Sequence, residues 1–195
     1  MLFFEVAAIS FIIALIRGGR VSRLFEIQIG GFTLVLVIVL LTAASAGTRQ
    51  YLDENVWQRV GAVFHVMIQV AYLSFFVLNL VLPGMKWFLG GWVLNFVPII
   101  ANGGKMPVLV SAANAVGIRE DTASPMAQHL WINKVSEAKF GWLSDIIPLP
   151  CPPLITPQVG SAGDMLMVIG IFWLIQAAMC EKDQAAHGSE IKPKI

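Results

Sequence analysis

Ala-Asn-Gly-Gly-Lys-Met-Pro, residues 101–107, is the stretch on which the reading of this chain turns. It closes an apolar segment that begins near Trp87. Asn102-Gly103-Gly104 is a strong helix stop, because glycine reaches the left-handed geometry of a C-terminal cap without steric cost. Met106-Pro107 then forces an extended exit, since proline pushes the residue before it out of the α region. A membrane helix is therefore expected to end here and hand over to irregular backbone near the bilayer surface. Lipid cannot satisfy unpaired backbone groups, so protein or water must cover them. Such a break is a place where a membrane protein can build a site.

The composition around this stretch points the same way. The chain has 195 residues, 57% hydrophobic and 13% charged, with a mean hydropathy of +0.75. Soluble domains carry about 25% charged residues, so a soluble fold would have little with which to cover this much apolar surface. The net charge is +1 and no basic cluster occurs, which argues against a nucleic-acid partner. Cys151 and Cys180 are too few for a disulfide framework, and the topology below places them on opposite sides of the membrane.

Apolar runs predict an all-α membrane protein with about five transmembrane helices, at about 2–17, 27–47, 57–82, 86–102 and 162–180. The first is short for a span of roughly 20 residues, and Arg17 can extend it by snorkelling to the headgroups. Residues 1–180 form a single membrane domain and 181–195 a polar cytoplasmic tail. Arg17, Arg20 and Arg23 crowd the first loop, whereas the loop at 48–56 has Arg49 with Asp53 and Glu54. The positive-inside rule then places the N-terminus outside and the C-terminus in the cytoplasm of a bacterial inner membrane.

The 103–161 segment is read as an extracytoplasmic, proline-rich collar. Trp131, Phe140 and Trp142 suit a membrane interface. Short interfacial helices are expected near 108–117 and 125–138. Pro148, Pro150, Pro152, Pro153 and Pro157 predict an extended strip without internal hydrogen bonds. Ser161 and Asp164 form a variant capping box that opens the last helix. Gly103 and Gly104 cap the fourth.

Several polar residues are candidates for binding a ligand or partner. His65, Gln69, Tyr72, Phe76 and Asn79 fall on one face of the third helix at helical spacing, and polar groups there should face protein, not lipid. His65 is a candidate axial ligand for a haem or chlorin metal. Hydrogen bonding to neighbouring helices is the plainer role. Asn95 and Asn102 flank Pro98, which removes a backbone donor and kinks the fourth helix. With Lys105 they can line a crevice, or simply pack the kink and anchor at the headgroups. His129 and Asp145 suggest proton transfer, against a plainer role in local capping. No HExxH, CxxC, CxxCH, Walker loop or GxGxxG occurs, so no catalytic residue and no metal site is assigned.

In order along the chain stand RGGR at 17–20, LPG at 82–84, NGGKMP at 102–107, His129, DIIPLP at 145–150 and SAGD at 161–164. Together they resemble a bacterial family of small integral membrane proteins known only as domain of unknown function 5317. The resemblance runs from about residue 1 to 180 and leaves the tail outside. Ser144 stands where that family is expected to carry glycine, so the turn before Asp145 differs. The resemblance implies a fold and a membrane location, and no activity, substrate or cofactor.

The functional expectation is an accessory or structural subunit of a larger membrane complex, respiratory or photosynthetic, docked partly through the 181–195 tail and holding lipid, quinone or pigment. The alternatives are a small transporter or ligand-binding protein using the broken fourth helix, and a membrane enzyme using His129 with Asp145.

Overall fold

The computed structural model describes residues 2–119, 129–151 and 155–180. Helices carry most of them: α1 Leu2–Ile16, α2 Phe32–Arg49, α3 Glu54–Leu78, α4 Met85–Ala101, α5 Val110–Ala115 and α6 Ala162–Cys180. Three stretches, Phe32–Arg49, Asn55–Leu78 and Ala162–Cys180, are long and apolar enough to cross a membrane. α1 and α4 are apolar but shorter. At 1.5 Å per residue α1 reaches only about 22 Å, against a hydrocarbon core of about 30 Å. The surface agrees with membrane association. α2 buries only Ile38, while Phe32, Leu36, Val37, Val39 and Leu40 are exposed. Contiguous apolar surface of this kind is a liability in water.

The long helices run alternately up and down. Ser10 Oγ donates to the Phe172 carbonyl at 3.1 Å, and Cys180 Sγ lies 3.7 Å from that of Ala14, so α1 and α6 are parallel. α4 runs antiparallel to α6, with Gly84 against Gly170 and Gly91 against Gly163. α3 opposes α4, and Asn79 at its end reaches back to Gly30 before α2. The start of α1, the end of α4, the start of α6 and the 103–161 connection therefore share one end of the bundle. Arg17, Lys86 and Cys180 lie at the other.

The α4–α6 contact is backbone against backbone. A Cβ on Gly91 would collide with the Gly163 carbonyl oxygen. One on Gly163 would meet Asn95 Oδ1 and the Gly91 oxygen, and one on Gly84 would meet that of Gly170. Both helices space these glycines seven residues apart, two turns, which keeps them on one face. By contrast α2 pairs with α3, and α3 meets α4 chiefly through ring contacts: Phe76 with Phe88 and Trp92, and Trp92 with Phe96.

The 103–161 connection adds two small two-stranded sheets to a mostly helical chain. Strand β1 (Met106–Leu109) pairs in parallel with β2 (His129–Ile132), from Met106↔His129 to Leu109↔Ile132. Strand β3 (Ile147–Leu149) pairs antiparallel with β4 (Gln158–Gly160). α5 fulfils the helix expected near 108–117. The helix expected over 125–138 does not form where the chain is described: 129–132 is strand, and only Val135–Glu137 makes a 3₁₀ turn. The open edge of β1 recruits His-Leu-Trp-Ile, and tertiary pairing overrides local preference. The proline strip is hydrogen-bonded strand at its start rather than free polyproline backbone, with Pro148 tolerated in a three-residue strand. Pro152, Pro153 and the 181–195 tail lie outside the described residues. The second helix also begins at Phe32 rather than 27, because Gly31 takes φ +72° just before it.

Candidate functional site

The predicted polar residues resolve into separate nodes. The first joins α4 to the start of α6. Asn95 Nδ2 donates to Asp164 Oδ1 at 2.9 Å, and Ser161 Oγ donates to Asn95 Oδ1 at 2.6 Å. The capping box is complete: the Ser161 N–H donates to Asp164 Oδ2 at 2.9 Å, and the Asp164 N–H donates to Ser161 Oγ at 3.0 Å. Ser161 is fully buried. Asn95 thus extends a local helix cap into a link between two helices, which the Gly91–Gly163 approach makes reachable.

Asp145 lies beside this node. Its N–H donates to the Pro107 carbonyl at 3.0 Å, and its carbonyl accepts from the Leu109 N–H at 3.0 Å, so it flanks β1. Burial, and then the negative charge of Asp164, raise its carboxyl to about 8. At neutral pH Asp145 therefore holds its proton while titrating within the physiological range. The neighbouring Ser144 is fully buried, and its hydroxyl has no hydrogen-bond partner among the described residues. A glycine there would leave nothing unpaired.

The second node closes the break in α4. Asn102 Nδ2 donates to the carbonyls of Pro98 at 2.7 Å and Lys139 at 2.8 Å, while Oδ1 accepts from the Lys139 N–H at 3.0 Å. Gly103 and Gly104 take φ +69° and +82°, the left-handed cap expected. Lys105 is exposed. The third node lies between α3 and α4: Trp92 Nε1 donates to Gln69 Oε1 at 2.9 Å, and Gln69 Nε2 lies 3.2 Å from His65 Nε2. That contact engages the imidazole nitrogen with an amide donor. No group of three His, Cys, Asp or Glu able to hold a metal occurs among the described residues. Tyr72 stacks on Phe76 but stays 37% exposed, so the stripe does not face protein throughout. Asn79 is buried and holds Gly30 through both amide atoms.

Asn95, Asn102 and Gln69 take separate partners rather than converging on one another. Asn95 turns to α6, Asn102 to Lys139 and Gln69 to Trp92. His129 and Asp145 are likewise not brought together. Val108 pairs with Trp131 on one side and Asp145 on the other, while His129 lies two residues along opposite Met106, so β1 lies between them and their backbones stand about 12 Å apart. No hydrogen bond joins them. His129 sits edge-on to Trp131 at 6.1 Å, and desolvation holds its pKa below the usual value.

A further node was not read from the sequence. Gln176 is buried on α6. Its Nε2 donates to the Ser10 carbonyl at 2.6 Å and to Ser10 Oγ at 3.0 Å, and its Oε1 accepts from Arg17 Nη1 at 2.7 Å. Above it, the buried Glu5 carboxylate accepts from the N–H groups of Ile155 and Thr156 at 3.0 and 3.1 Å. Beside this seam an open groove of about 540 Å³ is lined by Val6, Arg17, Val168, Phe172, Trp173 and Ala177, among others. Polar residues inside apolar helices were the available signal. Glu5, Ser10 and Gln176 all fit it.

The family described as "Family of unknown function (DUF5317)" matches residues 26–176. The chain belongs to that family. The matched segment contains the Asn95–Ser161–Asp164 node, Asp145, Asn102 and the glycine contact, and ends at Gln176. α1 and RGGR precede it, so the shared part is narrower than the resemblance from residue 1 implied. An "Uncharacterized protein" of Thermotoga maritima is 35% identical over 106 residues, covering 53% of this chain. The chain spans 56% of that relative's length. No solved structure matches.

Proposed function

We propose that this DUF5317 protein is an integral protein of the bacterial inner membrane, crossing it five times, and that it serves as an accessory subunit of a larger membrane complex, respiratory or photosynthetic. The observation that carries the reading is the α2–α3 pair. α2 is apolar almost all round, and Val63, Val66, Met67, Val70 and Leu73 of α3 are exposed together. The pair joins the rest through few polar links. Such a pair offers a broad helical face on which lipid or the helices of another subunit can pack. Meanwhile the polar residues tie helix to helix and cap to helix, which is the work of a scaffold. Purification from native membranes in mild detergent tests the proposal. Stoichiometric recovery of a larger membrane complex is expected, and recovery of a lone chain or homodimer overturns it.

Orientation has its own test in the two free cysteines, Cys151 exposed and Cys180 half-buried at the opposite end. A membrane-impermeant maleimide should label Cys151 from outside the cell and Cys180 only in inverted vesicles. The reverse pattern would put the connection in the cytoplasm. One specific observation favours a second reading, that of a ligand-binding membrane protein: the groove beside α1 and α6. The enzyme reading draws no support from the separation of His129 and Asp145.

A further inference from the structure

We propose that the groove between α1 and α6 holds one anionic phospholipid, with its headgroup phosphate on Arg17 and an acyl chain along Phe172, Trp173 and Val168. The proposal rests on the five-span reading, which places Arg17 at headgroup level.

The groove is built for a ligand with one charged end. Arg17 stands just past the end of α1, beside the buried Gln176 and Cys180, and the remaining lining is apolar or aromatic. The guanidinium is held by a fixed relay. Ser10 is fully buried and donates to the Phe172 carbonyl. Gln176 is 8% exposed and donates twice to Ser10. Its remaining oxygen accepts from Arg17 Nη1 at 2.7 Å. That partner is neutral, so the bond orients the cation without cancelling its charge. A guanidinium has five N–H donors in a rigid fork suited to phosphate, and this bond uses one of them. Arg20 follows, its backbone N–H donating to the Met179 carbonyl at 3.0 Å, which puts a second cation at this end of α6. Basic pockets at helix ends on the cytoplasmic side are the sites where anionic headgroups dock.

The dimensions also fit. Along α6 the lining runs from Val168 to Cys180, about 18 Å at 1.5 Å per residue. Half of a 30 Å hydrocarbon core is about 15 Å, so the groove follows one leaflet from headgroup inward. Its volume of about 540 Å³ lies within the range of about 300–1,000 Å³ typical of small-ligand sites. Trp173, 54% exposed, offers a ring face to a chain.

The test uses the full-length protein in nanodiscs of phosphatidylglycerol or of phosphatidylcholine, released into mild detergent and weighed by native mass spectrometry. One retained phosphatidylglycerol is expected, with phosphatidylcholine kept about five-fold less. Arg17→Gln should abolish the headgroup preference. Ala177→Trp should plug the groove while leaving Arg17 in place, and so lower retention of both lipids. Circular dichroism confirms that both variants keep their helices. If Arg17→Gln does not fold, Ala177→Trp and quenching of Trp173 by brominated phosphatidylglycerol, judged against Trp173→Phe, decide the matter alone. Equal retention of the two lipids, or retention unchanged by Ala177→Trp, overturns the proposal, as does a protein chain occupying this face. Labelling that puts Cys180, and Arg17 beside it, on the same membrane side as Cys151 would instead break the topology beneath it.

Discussion

The α4–α6 contact and the α2–α3 pair are both made from apolar helices, yet they are held together in opposite ways. In the first, glycines seven residues apart bring two backbones into contact, and Asn95, Ser161 and Asp164 lock the register. In the second, large aliphatic side chains face outward, and the polar links are the Asn79 amide on Gly30 and the single Trp92–Gln69 bond to α4. Apolar burial does little to hold helices together inside lipid, because lipid tails are as apolar as leucine. Close backbone approach and hydrogen bonds remain. The α4–α6 contact has both, and the α2–α3 pair has little of either.

The largest effect should come from adding one methyl group at the close contact. Gly163→Ala places a Cβ against Asn95 Oδ1, which moves only by giving up its bond from Ser161, and against the Gly91 backbone oxygen, which moves only with α4. A loss of about 3 kcal/mol is expected in detergent unfolding. Gly47→Ala on α2 is the counterpart: nothing lies within 4 Å of its added Cβ, and it should gain about 0.5–1 kcal/mol as a helical glycine replaced by alanine. Equal effects at the two sites would end the contrast.

Next comes a pH effect confined to the α4–α6 side. The folded Asp145 carboxyl is raised to about 8 from 3.8, so between those values the folded state binds more protons than the unfolded state. The associated stability is fully present below about pH 4, declines as pH rises, and is lost above about pH 8. Thermal unfolding from pH 5 to 9 should show this downward slope, and Asp145→Asn should flatten it. Asp164→Asn should move the midpoint lower without abolishing it, because burial is the larger cause. A slope unchanged in Asp145→Asn would assign the titration elsewhere.

The smallest effect belongs to the α3–α4 link. Trp92→Phe keeps the ring contacts with Phe76 and Phe96 and deletes only the donor to Gln69. It should cost about 0.6 kcal/mol, the average for a hydrogen bond between membrane helices. A loss as large as that of Gly163→Ala would show that this region is locked as firmly as the other.

Much of the local structure was readable because its causes are local. The stop at Asn102-Gly103-Gly104 follows from the backbone freedom of glycine, and both glycines adopt it. The capping box follows from a three-residue spacing, and both of its hydrogen bonds form. The long apolar runs follow from composition. The strand at 129–132 is not legible locally, because its partner, β1, supplies the hydrogen bonds from 23 residues away.

The sequence by itself determined where α4 stops and where α6 starts, which segments are apolar enough for a membrane, and which family the chain resembles. Only the tertiary structure decided what the polar residues do. It turned Asn95 onto a cap 66 residues distant, gave Asn102 the backbone of Lys139, set β1 between His129 and Asp145, and aimed Arg17 through Gln176. The physical reason is that a cap or a glycine stop is satisfied within one turn of its own helix. A polar side chain in an apolar helix must instead find a partner, and that partner exists only once another helix has packed against it.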